Sequence, residues 1–264
     1  MKKVLAAVFV ISALSLVLLY SVLMKGNDMH DYTITNMTGS STVKMIVVPY
    51  FDPYDSQWDQ IYAAADKYPN TIKYVIINPC SGPCGDSLSE DWQRIISNLK
   101  HRGIKTLGYV FNTSESIANI DYYMKSQVPT DGIFFDNESS TDNLQNFKQF
   151  SDHVHSLGGI VYINPGYNFP QVDSYITSGS TDIANIHEIE SDKSHHILFN
   201  EDLPPAKLSV ILGNVTSNDE MVSKLTEVAS KGIGTVYVYG DTYSALPPFF
   251  ADEVRQASIT PIKQ

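Results

Sequence analysis

The stretch Asp131-Gly-Ile-Phe-Phe-Asp-Asn-Glu138 decides the fold prediction for this chain. Side chains alternate between the two faces of a strand, so Asp136 and Glu138 share the face that also carries Phe134. Two carboxylates therefore come together where an apolar strand ends and a helical pattern begins. This arrangement is expected where a strand of a parallel barrel opens onto an active site. Capping of the next helix by Asn137 and the hydroxyl residues after it is the alternative, but capping does not require two inward-facing acids.

The alternation of a short apolar run with an amphipathic segment repeats about eight times from Val43 onwards. The strand candidates, rich in Val, Ile, Tyr and Phe, are 44–49, 72–77, 105–111, 131–136, 159–163, 182–187, 207–213 and 234–239. The helix candidates are 57–67, 88–101, 115–126, 141–157, 168–178, 193–200, 218–231 and 248–257. Strands that alternate with helices pair in parallel, and eight such units predict an α/β fold, a single-domain (β/α)8 barrel of the TIM type. An open doubly wound sheet is the alternative, but no glycine-rich phosphate loop follows the first strand.

The N-terminus has the pattern of a membrane-targeting segment. Lys2 and Lys3 precede an apolar run from Val4 to Met24, which approaches the roughly 20 residues needed to span a bilayer. No clear cleavage site precedes Lys25, so an uncleaved signal anchor is favoured over a cleaved signal peptide. We expect residues 1–25 to be the signal peptide or anchor, 26–41 a flexible tether, and 42–264 the barrel. The barrel would then lie on the extracellular face of the cell membrane, or be secreted.

The chain is acidic, with a net charge of −11, and the leader holds three of its 18 basic residues and none of its 29 acidic ones. Such a surface repels nucleic acid and suits neutral or cationic ligands, among which amino sugars are one compatible class. Cys80 and Cys84 flank Ser-Gly-Pro, and outside the cell a local disulfide is expected. Because no recognisable ligand spacing is present, we expect no metal and no cofactor.

Polar residues follow every strand candidate. In chain order they are Tyr50 and Asp52, Asn78, Asn112, Asp136 and Glu138, Asn164, Glu188 and Glu190, Asn214, and Asp241. In a barrel these strand ends meet at the C-terminal face, where such enzymes place their chemistry. Turn formation by Asn-Pro explains single asparagines such as Asn78 and Asn164, but not the whole set.

Paired carboxylates at a barrel mouth suggest hydrolysis of a glycosidic bond, in which one acid protonates the leaving oxygen and another serves as nucleophile or base. The catalytic candidates are Asp136, Glu138 and Glu188. The substrate-binding candidates are Tyr50, Asp52, Asn78, Tyr109, Asn112, Asn137, Asn164, Glu190, Tyr239 and Asp241. Aromatic residues near the rim, Tyr243 among them, suit stacking on sugar faces.

Several stretches taken together resemble the spherulin-4 (spherulation-specific) family over residues 45 to 250. The most specific are Ile76-Ile-Asn-Pro-Cys-Ser-Gly-Pro83 and Asp131-Gly-Ile-Phe-Phe-Asp136, joined by Asn164-Pro-Gly166 and by Asp182 with Glu188 six residues on. The resemblance implies a (β/α)8 barrel and, for characterised relatives, a cell-surface glycoside hydrolase acting on galactosamine-containing polysaccharide.

The same resemblance carries the family's acid pair after the fourth strand onto Asp136 and Asn137, and its glutamate after the sixth strand onto Glu188. Asn137 stands where the family has Glu, so either Glu138 takes over that role or the chain has lost activity and kept the pocket. The stretch is also similar to the strand-four signature of chitinase-type hydrolases, whose last Glu is the general acid and whose middle acid orients the substrate N-acetyl group. Phe134 replaces one acid of that signature.

The sequence therefore predicts a membrane-anchored or secreted, monomeric glycoside hydrolase that acts on an amino-sugar polysaccharide. A non-catalytic polysaccharide-binding surface or adhesion protein is the alternative, motivated by Asn137. A structural envelope protein is a third reading, and it would have neither sugar binding nor a cleft.

Overall fold

The computed structural model describes residues 41–111, 116–136, 144–166, 172–189, 200 and 202–263. Eight parallel strands form a closed barrel in sequence order, with the eighth strand beside the first. The strands are β1 (Lys44–Val47), β2 (Ile72–Ile77), β3 (Lys105–Phe111), β4 (Gly132–Asp136), β5 (Ile160–Asn164), β6 (Ile183–Ile189), β7 (Leu208–Leu212) and β8 (Thr235–Val238). The prediction of a (β/α)8 barrel is confirmed, and the barrel lies in a compact unit from Ser40 to Gln264.

Helices separate most of the strands. They are α1 (Gln57–Lys67), α2 (Glu90–Lys100), α3 (Ser116–Met124), α4 (Leu144–Ser156), α5 (Val172–Thr177), α6 (Asn218–Ser230) and α7 (Phe250–Ile259), with a 3-10 turn at Pro205–Lys207. Serine caps start two of them, because the Ser89 hydroxyl accepts from the Trp92 amide and the Ser217 hydroxyl from the Glu220 amide. The predicted helix 193–200 lies outside the described residues except for Asn200.

Alternation along β4 divides its side chains between the barrel interior and the helix layer. Phe134 points inward, where its ring lies 5.0 Å from that of Tyr162, whereas Phe135 contacts Phe147 of α4 at 5.1 Å. Tyr162 donates from its hydroxyl across the interior to Ser209 Oγ of β7. Large aromatic side chains therefore fill the barrel, and the space for a ligand lies at the mouth.

Two aspartates quoted in the family motifs lie at the base of the barrel, opposite the mouth. Asp131, just before β4, accepts from the Thr106 amide at 3.0 Å and pairs with Lys105 at 3.1 Å. Asp182, just before β6, accepts from the Val161 amide at 2.9 Å. Each carboxylate accepts a hydrogen bond from a backbone amide near the start of the preceding strand, in place of a backbone carbonyl. The role of both aspartates is therefore structural.

The contact between β1 and β8 is short. Its register covers Lys44 with Thr235 and Met45 with Val236. Further along β8, the Val238 amide donates at 2.7 Å to Oε1 of Glu253, a fully buried residue of α7. Burial raises the pKa of the Glu253 carboxyl well above its ordinary value. The Glu253 carboxyl thus provides an acceptor for β8 where its pairing with β1 has ended. We call this short β1–β8 contact the seam.

In the described part of the chain, no helix is both long enough and apolar enough to cross a membrane. The predicted leader, residues 1–25, and all but Ser41 of the predicted tether lie outside that part.

Candidate active site

Asp136 is the last residue of β4 and lies on the same face as Phe134, as the alternation predicts. Its Oδ2 accepts a hydrogen bond from the Tyr109 hydroxyl of β3. Its Oδ1 accepts from Asn164 Nδ2, at the end of β5, at 2.8 Å. Both neighbouring strands therefore orient this carboxylate.

Glu188 reaches the same space from β6 because that strand contains an irregularity. The register with β7 shifts between Asn185 and His187, as in a β-bulge. Regular alternation would put Asn185 and Glu188 on opposite faces, and the extra residue changes the phase. Glu188 lies within β6, whereas the sequence predicts that the strand ends before it.

One amide group bridges the two acids. Asn164 Nδ2 donates to Asp136 Oδ1 at 2.8 Å and to Glu188 Oε2 at 2.7 Å. Its orientation is fixed, because Asn164 Oδ1 accepts from Asn185 Nδ2 at 2.7 Å and from the Gly166 amide at 3.2 Å. The two acceptor oxygens can be no farther apart than the sum of the two bridging distances.

Three tyrosines complete the surroundings of the acid pair. The Tyr243 hydroxyl donates to Glu188 Oε1, as Tyr109 does to Asp136. Burial raises the pKa of Tyr50, Tyr109 and Tyr243 above the ordinary 10, and the charge of Asp136 or Glu188 raises it further. These phenols therefore remain protonated donors at physiological pH.

The tyrosine positions are set by packing against one another and against a glycine. The Tyr243 ring stacks on Tyr239 with centroids 4.2 Å apart and lies 5.3 Å from Tyr50. Tyr239 covers Gly213, at which a Cβ atom would lie 2.4 Å from the phenol carbon Cζ. Gly213 is therefore required for this close approach, and through Tyr239 it supports the residue that holds Glu188.

A depression of about 500 Å³ lies beside Tyr50, between the loops that follow β1, β2 and β8. Its lining consists of Tyr50, Phe51, Asp52, Asp55, Asn78, Pro79, Cys80, Ser81 and Ser244. Cys80 and Cys84 are joined by a disulfide, and Ser81 between them has a φ of 55°. The lining is mainly polar, and Tyr50 belongs to both the depression and the tyrosine group.

The structure brings together most of the described candidates. Asp136, Glu188, Asn164, Tyr109 and Tyr50 form one cluster, with Tyr239 beneath Tyr243, and Asp52 and Asn78 line the neighbouring depression. Asp241 is exposed and makes no hydrogen bond to the described residues of the cluster. The candidates Asn112, Asn137, Glu138 and Glu190 lie outside the described residues, and their assignments stay predictions.

Sequence reasoning missed Asn185 in the cluster, and Asp55, Ser81 and Ser244 in the lining of the depression. It named Tyr243 as an aromatic residue near the rim but did not predict its hydrogen bond to Glu188. The polar Asn185 within an apolar strand was an available signal. The sequence has no comparable signal for the hydrogen bond of Tyr243, because that contact depends on the path of the loop after β8.

The cluster has the groups needed for acid–base chemistry. Two carboxylates from different strands face one opening, each held by an amide and a phenol that donate to it. Such a pair can give a proton to a leaving oxygen and stabilise positive charge on carbon.

Residues 44–257 match the profile of the spherulation-specific family 4, which is more than half of the chain. The chain belongs to this family. In this family 4 protein, the acid pair comes from two of the stretches that carried the resemblance, β4 and the segment from Asp182 to Glu188. A comparison with curated protein sequences gives no match.

Solved structures share the barrel of this family 4 protein. Aspergillus clavatus Sph3 in complex with GalNAc has a TM-score of 0.70 and 21% identity, covering 84% of this chain and 100% of that one. A GH18 chitinase from Pseudoalteromonas aurantia has a TM-score of 0.53 and 13% identity, covering 81% and 99%. The Bacillus cereus spore cortex-lytic enzyme SleL has a TM-score of 0.57 and 11% identity, covering 85% and 76%. At these identities the similarity shows the fold alone.

Proposed function

We propose that this protein is a glycoside hydrolase that cleaves an amino-sugar polysaccharide of the galactosamine or N-acetylgalactosamine type. The observation that carries the proposal is the shared amide of Asn164, which bridges Asp136 and Glu188 at the barrel mouth. Sph3, a structural neighbour, was solved with GalNAc, and the GH18 chitinase is another neighbour. Both support a sugar substrate for this mouth.

In the proposed reaction, Glu188 is the general acid and gives its proton to the glycosidic oxygen as the bond to the sugar carbon breaks. Asp136 stabilises the positive charge that develops at that carbon or on an assisting N-acetyl group. Water then adds to the sugar carbon, and its proton returns to Glu188. Glu138 is the alternative acid, predicted from the sequence and lying outside the described residues.

The spacing of the two acids favours retention of configuration. Retaining enzymes hold their carboxyl groups roughly 5–5.5 Å apart, and inverting enzymes roughly 6.5–9.5 Å apart. The two oxygens that share Asn164 Nδ2, at 2.8 and 2.7 Å from it, are therefore at most 5.5 Å apart, and this limit on one oxygen of each acid supports the retaining class. No water molecule needs to fit between acid and substrate at that spacing, and the anomeric configuration of the first product tests this.

The same proposal includes a location. The apolar segment from Val4 to Met24 supports export, either with a retained anchor at the outer face of the cell membrane or with secretion. Detection of the protein on intact cells by added protease, before and after cell lysis, tests this part.

The test of activity uses the full-length chain, purified in mild detergent, with polymers of galactosamine and of N-acetylgalactosamine. Released oligosaccharides are measured by mass spectrometry. Asp136→Asn and Glu188→Gln should each lower turnover by about 10²–10⁴-fold, as expected for loss of acid–base assistance. Both variants should keep the wild-type melting temperature within a few degrees. Near-normal hydrolysis by both variants would exclude this assignment.

A second candidate function follows from Asn137, which stands where the family resemblance implies Glu. In that case the protein would bind the polysaccharide at the same mouth without cleaving it. Retention of the polymer on immobilised protein, with no release of reducing ends, would favour the binding function.

A further inference from the structure

The depression that Tyr50 connects to the acid cluster is placed to hold a second part of a polymeric ligand. Tyr50 lines it and also contacts both tyrosines that hold the acids, at 6.1 Å from Tyr109 and 5.3 Å from Tyr243 between ring centroids. At about 500 Å³ it falls in the ordinary range of ligand pockets, roughly 300–1,000 Å³. A chain whose bond lies at the acids can therefore continue into this space.

Asn78 supplies a hydrogen-bond donor in the lining. It is 8% exposed, and its Oδ1 accepts from the Gly82 amide at 2.9 Å, which fixes the orientation of the side-chain amide. Nδ2 has no acceptor among the residues that the structure describes. The lining therefore presents an unpaired amide donor, to which an oxygen atom of a ligand can bind.

The loop around this donor is built to stay in place. The disulfide from Cys80 to Cys84 closes it, the Cys80 amide donates to the Gly82 carbonyl at 3.2 Å, and the Tyr122 hydroxyl donates to the Cys84 carbonyl at 3.0 Å. The donor thus lies in a preformed wall.

Two aspartates of the lining, Asp52 and Asp55, bring negative charge to the depression. Asp52 and Asp55 form no ion pair within the described ranges. Asp55 uses one oxygen to accept from the Gln57 amide, and the backbone carbonyl of Asp52 accepts from Trp58 Nε1. Carboxylates that have no cation partner suit a ligand that carries an ammonium group.

We propose that this depression is a subsite for a hexosamine unit with a free ammonium group, adjacent to the unit whose bond is cleaved. Asp52 and Asp55 would accept from the ammonium, Asn78 Nδ2 would donate to a sugar oxygen, and Tyr50 would contact the ring face. This subsite rests on the proposed function for its place in the reaction. The enzyme would then prefer polymers that are at least partly deacetylated.

The test measures the affinity of the full-length protein for galactosamine and for N-acetylgalactosamine by titration calorimetry. The double variant Asp52→Asn, Asp55→Asn should lower the preference for galactosamine roughly tenfold or more, as loss of charge-assisted hydrogen bonds does. Asn78→Ala should weaken galactosamine binding in the same range. Asp219→Asn is the matched control, because it removes an exposed carboxylate of α6 that does not line the depression, and it should leave the preference within about twofold.

An unchanged preference in the double variant, an equal loss in Asp219→Asn, or no galactosamine binding at roughly tens of millimolar overturns the subsite. The Glu188→Gln variant separates this proposal from the hydrolase proposal. If no polymer is cleaved but the preference exists and depends on Asp52 and Asp55, the subsite stands and the hydrolase proposal fails. If polymers are cleaved and Glu188→Gln abolishes cleavage, but no preference exists, only the subsite fails.

Discussion

Removal of the bridging amide, Asn164→Ala, should strongly reduce catalysis. The change deletes two donors to carboxylates, at 2.8 and 2.7 Å from Nδ2. Hydrogen bonds to charged groups contribute roughly 1.5–3 kcal/mol each, so the variant loses about 3–6 kcal/mol of interaction free energy with the two acids. If this loss raises the activation free energy by the same amount, kcat/KM falls about 10²–10⁴-fold.

The assay is the initial rate of oligosaccharide release, measured well below the melting temperature of the variant. Stability must be followed in parallel, because the substitution also removes the acceptor of Asn185 Nδ2 and of the Gly166 amide. Ser209→Ala is the matched control. It removes the partner of the buried Tyr162 hydroxyl deeper in the barrel, and should cost about 1–3 kcal/mol of stability with kcat/KM within about threefold of wild type. A folded Asn164→Ala protein with activity within about tenfold of wild type would refute the bridging argument.

Three further predictions concern two residues that hold the acid pair in place, Gly213 and Tyr243, and the buried Glu253 beside β8. Gly213→Ala should cost about 1–3 kcal/mol of stability and lower kcat, because the new methyl group would lie 2.4 Å from Tyr239 and displace it; urea unfolding and rate measurements check both. Tyr243→Phe should lower kcat/KM about tenfold or more with little change in melting temperature, since it keeps the stacked ring and removes the hydroxyl that donates to the active-site glutamate. Glu253→Gln should become progressively more stable than wild type as the pH rises. Burial raises the pKa of Glu253 in the folded state above its ordinary 4.5, so the folded protein retains a proton that the unfolded chain releases, and stability falls by up to about 1.4 kcal/mol per pH unit above that value. Urea unfolding across the pH range measures the difference.

Each of these has a result that contradicts it. Gly108→Ala is the control for the glycine prediction, because its methyl group would lie 2.3 Å from Tyr123 of α3; equal loss of kcat in both glycine variants would exclude a specific role for Gly213. An unaltered rate for Tyr243→Phe would show that its hydroxyl is dispensable. Parallel stability curves for wild type and Glu253→Gln would show that the carboxyl is ionised in the folded protein.

The barrel and one of its acids follow directly from local pattern. Eight repeats of strand and helix leave few topologies, and strict alternation places Asp136 on the inward face together with Phe134. Asn164 was predicted as a rim residue because it ends an apolar run before Pro165. Its role as the bridge between two acids was not predictable, since it requires the ends of β4, β5 and β6 to lie at the same level along the barrel axis.

Its acidic side chain and its place after the sixth strand candidate make Glu188 a catalytic candidate, but the sequence does not predict how it reaches Asp136. The register shift after Asn185 reverses the inward face of β6, and the sequence of a short strand does not show where a bulge will form. The Tyr243 contact depends on a loop that returns to the mouth after β8. Tertiary placement of this kind is decided by packing rather than by local pattern.

The short β1–β8 seam has a consequence for how the barrel opens. Only two residue pairs close this side, and a carboxyl from α7 takes the next amide, whereas β3, β4 and β5 pair over five positions on each side of β4. Local opening should therefore begin at the seam, and hydrogen exchange at the Val238 amide should be faster than at the amides of β4. Asp136 of β4 lies on the better paired side of the barrel, whereas β5 and β6, which carry Asn164 and Glu188, pair at only two positions. Opening at the β1–β8 seam would thus admit solvent on one side of the barrel while Asp136 keeps its position.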